Sequence, residues 1–263
     1  MVTGFGPFQD APENPTTILA GQLEDYLKQH ETLTNPETTT LSTMVLEVSV
    51  EAVKEALNEL WEKQPSWPNN HNKDTHNIVI LLHLGVNYKG VGFQLEQCAY
   101  NDATFRIPDQ RGYQPQQEII LPNVQWGKAL NTNLNLESIG EHLKQIYQCE
   151  ILTKQQAEET TSVANNPNNN NKEIKIIHST DPGRYVCNYT YCYSLDKFGS
   201  STTGTAANIE EEDNTNHQET KCYSLFLHVP PFEVTPEAQQ MKFLAELIRL
   251  IELEMVSDNG NPE

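Results

Sequence analysis

The sequence predicts an α/β fold, a three-layer sandwich in which helices flank a mainly parallel central sheet. Three observations carry that expectation. Ile78-Val-Ile-Leu-Leu-His-Leu84 is a near-continuous apolar run, the pattern of a strand buried on both faces of a parallel sheet. Short β-branched runs alternate along the chain with segments whose apolar residues recur at helical spacing. The 263 residues show no repeat and suffice for one large domain, expected to span 1–263.

In order, Met1 to Phe8 reads as the end of a strand running into a Gly/Pro loop. Thr16 to His30 is expected to be helical, with Ile18, Leu19, Leu23 and Leu27 on one face. Leu41 to Val48 reads as a strand, and Val50 to Lys63 as a helix with Val53, Leu57, Leu60 and Trp61 inward. Pro65 to Asn77 is a polar linker. Gly85 to Gly92 is expected to be a loop and Phe93 to Tyr100 a further strand. Asn101 to Gln125 reads as irregular apart from a short strand at Ile119–Leu121, and Leu136 to Tyr147 as a helix capped by Asn135. Residues 153–171 and 199–220 are polar tracts expected to be disordered insertions. Between them, Glu173 to His178 reads as a buried strand. Cys222 to Val229 is the last strand. Thr235-Pro-Glu then opens a terminal helix with Met241, Leu244, Leu247, Ile248, Ile251 and Met255 facing the core.

Composition narrows the function. Thirty-six acidic against 17 basic residues leave a net charge of −19, which argues against nucleic acid or an anionic membrane as partner. No apolar run is long enough to cross a bilayer, and the start does not resemble a signal peptide. The five cysteines are odd in number and scattered, which fits a reduced, cytoplasmic compartment. No His/Cys pair has metal-ligand spacing, so neither a metal nor a cofactor is expected. Gly4-Phe-Gly-Pro is too short for a dinucleotide fingerprint.

The chemistry centres on Ser179-Thr-Asp-Pro-Gly-Arg-Tyr-Val-Cys187-Asn-Tyr-Thr-Tyr191. Pro182 and Gly183 break the chain after the strand, and Val186, Tyr189 and Tyr193 then follow at helical spacing. Cys187 is thereby placed in the first turn of a helix, where free N–H groups and the helix dipole favour a thiolate. The competing reading is a small buried core cysteine. His83, His178 and His228 all lie at or near strand ends, and position does not choose among them as a base. Glu96 sits in a semi-apolar strand context where a carboxylate needs a partner, such as an imidazole to orient.

Five segments in the same order resemble the cysteine peptidases called pyroglutamyl peptidase type I, or pyrrolidone carboxyl peptidases. They are Thr3-Gly-Phe-Gly-Pro-Phe8 with Asn14-Pro15, His83-Leu-Gly-Val86, and Leu95-Glu-Gln-Cys98 with Arg106-Ile-Pro-Asp109. Asp181 to Asn188 and Phe226-Leu-His-Val-Pro-Pro231 complete the set. The resemblance implies that Cys187 is the nucleophile, His228 its base and Glu96 the orienting acid. It implies that Arg106 lies near the oxyanion, that Phe5, Phe8 and Val186 wall the substrate pocket, and that Asn14 belongs to a loop beside it. The implied substrate is a peptide with an N-terminal pyroglutamate, cleaved through a thioester, with no cofactor. The alternative is a homologue that binds such peptides without turning them over. Two departures stand out: the family usually carries several more residues before Val2, and many bacterial members have an amide side chain where this chain has Val86.

Overall fold

The structure, a computed structural model, describes residues 1–9, 13–34, 36–37, 39–63, 77–163, 174–199 and 220–258. In chain order the elements are β1 (Val2–Phe5), α1 (Pro15–His30), β2 (Thr43–Leu46), α2 (Val50–Glu62), β3 (Asn77–Val86), β4 (Phe93–Glu96) and β5 (Cys98–Tyr100). They continue with β6 (Ala129–Asn131), α3 (Leu136–Tyr147), β7 (Ile151–Thr153), α4 (Lys154–Val163), β8 (Ile176–Ser179), α5 (Val186–Phe198), β9 (Thr220–Val229) and α6 (Glu237–Asp258). Seven strands form one sheet in the order β2-β1-β3-β9-β4-β8-β7. All its pairings are parallel except β4 with β9. The expected sandwich is what folds.

The long apolar strands explain the layering. On β9, alternate residues Tyr223, Leu225, Leu227 and Val229 join α1, α3 and α6 in one core. Cys222 and Phe226 face the other way, into a second core with α2 and α5. A strand with apolar residues on both faces can only sit at the centre of such a sandwich. The cap expected at Asn135 is present, accepting from Ser138 N; Asn14 and Ser49, which the sequence reading did not assign, cap α1 and α2 in the same way.

Several sequence expectations change. Phe93 to Tyr100 is two strands in two sheets, because β5 leaves the main sheet at Gln97 to pair with β6, a strand the sequence did not signal. Ile119–Leu121 is not a strand, since the Asn101 side chain takes the Ile120 and Leu121 N–H groups that a ladder would need. Gly85 and Val86 belong to β3. Residues 154–163 form a helix, where the sequence reading had disorder. The missed signal is Thr153-Lys-Gln-Gln156, a reciprocal cap in which Gln156 Oε1 accepts from Thr153 N at 2.8 Å and Thr153 Oγ1 accepts from Gln156 N at 3.3 Å. Most of the linker, 65–76, the remainder of the first tract, 164–171, and most of the second, 200–219, lie outside the described residues.

Candidate active site

The antiparallel step between β4 and β9 creates the site. Their ladder is only three pairs long, Gln94↔His228, Leu95↔Leu227 and Glu96↔Phe226. The carboxyl ends of two opposed strands therefore overlap. Glu96 and His228 become diagonal neighbours on one face, within reach of each other. His228 Nδ1 meets Glu96 Oε1 at 2.8 Å, with Glu96 fully buried and His228 7% exposed. On the β3 side the ring lies over Gly85, where a Cβ would stand 2.7 Å from Phe226 Cε1 and 3.1 Å from His228 Cδ2. Glycine is what lets the imidazole lie there.

Cys187 is delivered from α5. The loop from Thr180 to Tyr185 turns at Gly183, whose φ of +82° suits glycine. Arg184 locks the loop: its guanidinium bonds Asp181 Oδ1 at 2.8 Å, pairs with Asp102 Oδ2 at 3.3 Å and lies 4.0 Å over the Tyr100 ring. Asn188, the residue after the cysteine, clasps the Tyr100–Asp102 backbone through Tyr100 N, Tyr100 O and Asp102 O. Unlike α1, α2 and α3, helix α5 has no side-chain cap. Its first-turn N–H groups are left free to receive an anion.

Glu96 holds the His228 ring through Nδ1, which leaves Nε2 for the Cys187 side, and Cys187 is near enough to act on the ring's charge. Burial disfavours the charged imidazole, yet Cys187 and Glu96 outweigh it and raise the His228 pKa to about 10. That is the direction of an imidazolium held between two acidic partners. Among the five cysteines only Cys187 is not buried. Burial pushes the Cys192 thiol up to about 12 and the Cys222 thiol to about 11, so both are held as inert thiols.

The other two histidines go elsewhere. His83 is fully buried between Thr3 Oγ1 and Ser194 Oγ, each 2.8 Å from a ring nitrogen, and burial lowers its pKa to about 3. His178 packs against α3 where Gly140 leaves room for its ring, and burial lowers its pKa too.

Of the expected pocket residues, Phe5 and Val186 are buried in the same core, with Phe8 and Cys187 packed against it. Phe8 faces Tyr185 at 6.1 Å between ring centroids. Asn14 is a loop brace, bonding Gly6 O through Nδ2 while Oδ1 accepts from Thr16. Arg106 is exposed and has no ion-pair partner among the described residues; its carbonyl accepts from Gln114. A groove of about 360 Å³ beside Phe8 is lined by Pro7, Phe8, Gln9, Pro108, Asp109 and Gln110, and does not include Cys187. Sequence reasoning passed over the separate roles of Gly85, Arg184 and Asn188; the Asp181-x-x-Arg184 spacing was the available signal for Arg184. Among the described residues no three His, Cys, Asp or Glu side chains cluster as a metal site, and no helix is long and apolar enough to cross a membrane.

Comparison with known proteins points the same way. No protein-family model matches the chain. Human pyroglutamyl-peptidase 1 is 23% identical over 257 residues, 96% of this chain and 90% of the human protein. The chain resembles pyroglutamyl peptidases of type I. The pyrrolidone carboxyl peptidase of Fervidobacterium islandicum AW-1 superposes with a TM-score of 0.61 at 24% identity, covering 98% of this chain and 97% of that one. That of Thermococcus litoralis gives 0.60 at 20% identity, covering 98% and 94%. At these identities the structural likeness establishes the sandwich fold, and the roles of individual residues rest on the site's own geometry.

Proposed function

We propose that this protein is a cysteine peptidase that removes an N-terminal pyroglutamyl residue from peptides. The observation that carries the reading is the buried Glu96–His228 pair together with Cys187 in the first turn of an uncapped helix. The names of the similar proteins supply the substrate class.

In the reaction, His228 Nε2 holds the proton taken from Cys187, and the thiolate attacks the carbonyl carbon of the pyroglutamyl residue. Negative charge that develops on the carbonyl oxygen is met by the first-turn N–H groups of α5, supported by the Arg106 guanidinium. As the C–N bond breaks, His228 gives its proton to the departing amine and a thioester remains on Cys187. Water then attacks the thioester while His228 takes one of its protons. The C–S bond breaks, pyroglutamate leaves, and the proton returns to sulfur. Glu96 holds Nδ1 and keeps Nε2 toward sulfur throughout. Phe5, Phe8 and Val186 form apolar walls for a flat ring, with Asn14 bracing the loop beneath them.

The test is hydrolysis of a chromogenic pyroglutamyl amide and of the matching prolyl amide, with and without a thiol alkylating agent. Proline has nearly the same ring but carries a charged amine and lacks the lactam carbonyl, so an apolar pocket rejects it. Thiol-sensitive pyroglutamyl cleavage with prolyl cleavage at least about a hundredfold slower is expected. Comparable rates on the two amides would remove the substrate assignment. Saturable binding without turnover would favour the binding-protein alternative.

A further inference from the structure

Five amide side chains are buried among the described residues: Asn14, Gln94, Asn101, Asn188 and Gln240. Asn14, Asn101 and Asn188 use both their oxygen and their nitrogen. Gln240 donates through Nε2 to Pro230 O and Thr235 O, and its buried Oε1 has no partner among the described residues. Gln94 is 4% exposed and has no hydrogen bond on either group to any described residue. Its amide atoms are not sealed from solvent, so the group stands open to a ligand.

Its place gives the reason. Gln94 is the direct register partner of His228 across the antiparallel ladder and shares a sheet face with Glu96, two residues on. The residues that wall the pocket, Phe5, Phe8 and Val186, are apolar, and the Asn14 amide is already spent on Gly6 and Thr16. A lactam in this site therefore needs a polar partner that those residues do not supply.

We infer that Gln94 pairs with the lactam of the substrate and is its specificity-determining residue; the inference rests on the function proposed above. The chemistry favours a lactam over an ordinary peptide bond. A small ring holds its amide cis, so N–H and C=O lie on one edge. A primary carboxamide also presents one oxygen and one N–H on a single edge, and the two edges can form two hydrogen bonds together. A trans peptide group points its N–H and C=O in opposite directions and cannot pair in this way. Val86, by contrast, packs with the opposite core, so β3 supplies no equivalent amide there.

The competing role is structural, because Glu96 Oε2 is buried with no partner among the described residues and stands on the same face. Gln94→Met, similar in shape with no amide, separates the two. The probe is 2-pyrrolidone, a bare lactam, scored by how far it protects Cys187 from iodoacetamide; cyclopentanone, lacking the N–H, is the control. Wild type should be protected by the lactam far better than by the ketone, and the variant should lose that difference. For a pyroglutamyl amide, KM should rise on the order of tenfold or more in the variant, with kcat little changed. Retained lactam protection in Gln94→Met would overturn the inference. So would a shifted pH profile of alkylation with protection intact, since that would make Gln94 a brace for Glu96. The protection assay needs no turnover, so an inactive wild type would defeat the proposed function and still decide the role of Gln94.

Discussion

His83 offers the most quantitative test of how this fold divides its histidines. It is fully buried, its pKa falls from 6.5 to about 3, and the cause is burial. The unfolded chain takes up a proton near pH 6.5 that the folded chain refuses until about pH 3. Between those values the unfolded state binds more protons, so stability falls as pH falls, by about 1.4 kcal/mol per pH unit. From neutral pH to about 4.5 the loss is about 2.5 kcal/mol, a large part of the 5–15 kcal/mol typical of a domain. His228 has the opposite sign. Its folded pKa is raised to about 10, so its contribution is fully present below 6.5 and is lost as pH rises toward 10. The assay is urea unfolding of wild type and His83→Gln at neutral pH and near pH 4.5. The variant should be weaker at neutral pH but lose about 2.5 kcal/mol less on acidification. Its turnover at neutral pH, per folded molecule, should stay close to wild type, whereas His228→Ala should lose several orders of magnitude. Equal acid losses in wild type and His83→Gln would refute the burial argument.

Two further outcomes are expected. Gly85→Ala places a methyl 2.7 Å from the buried Phe226 ring and 3.1 Å from His228 Cδ2, so the ring must move. Displacement of the base by a fraction of an ångström or more should cut kcat on the order of a hundredfold, with the fold retained by circular dichroism; an unchanged kcat would show that the ring has room. Cys187→Ala should abolish turnover and remove the only site of fast iodoacetamide labelling, while Cys149→Ala and Cys192→Ala keep most activity. An inactive Cys192→Ala beside an active Cys187→Ala would reassign the nucleophile.

Local pattern was enough for much of the fold. The two-faced apolar run at Ile78–Leu84 announced a central parallel strand, and β3 pairs on both sides as that pattern requires. Asn135 announced α3, and Pro182-Gly183 before an amphipathic run announced α5 with Cys187 in its first turn. These signals are legible because each depends on residues within a few positions of one another. Where the reading failed, the deciding partner was distant in sequence. Asn101 removed the ladder donors of Ile120 and Leu121, and β5 turned away to pair with β6. The helix at Lys154–Val163 is the exception, a local cap that polar composition concealed.

The sequence by itself determined a parallel α/β sandwich and a cysteine at a helix start, and its motif order pointed to one histidine and one glutamate. By position alone His83, His178 and His228 were equivalent. Only the tertiary structure separated them, through the short antiparallel overlap of β4 and β9, which sets Glu96 beside His228 although they stand 132 positions apart. The same overlap sets Gln94 opposite His228, with no hydrogen-bond partner for its side chain among the described residues. Register is a property of two strands at once, and no window along one chain contains it.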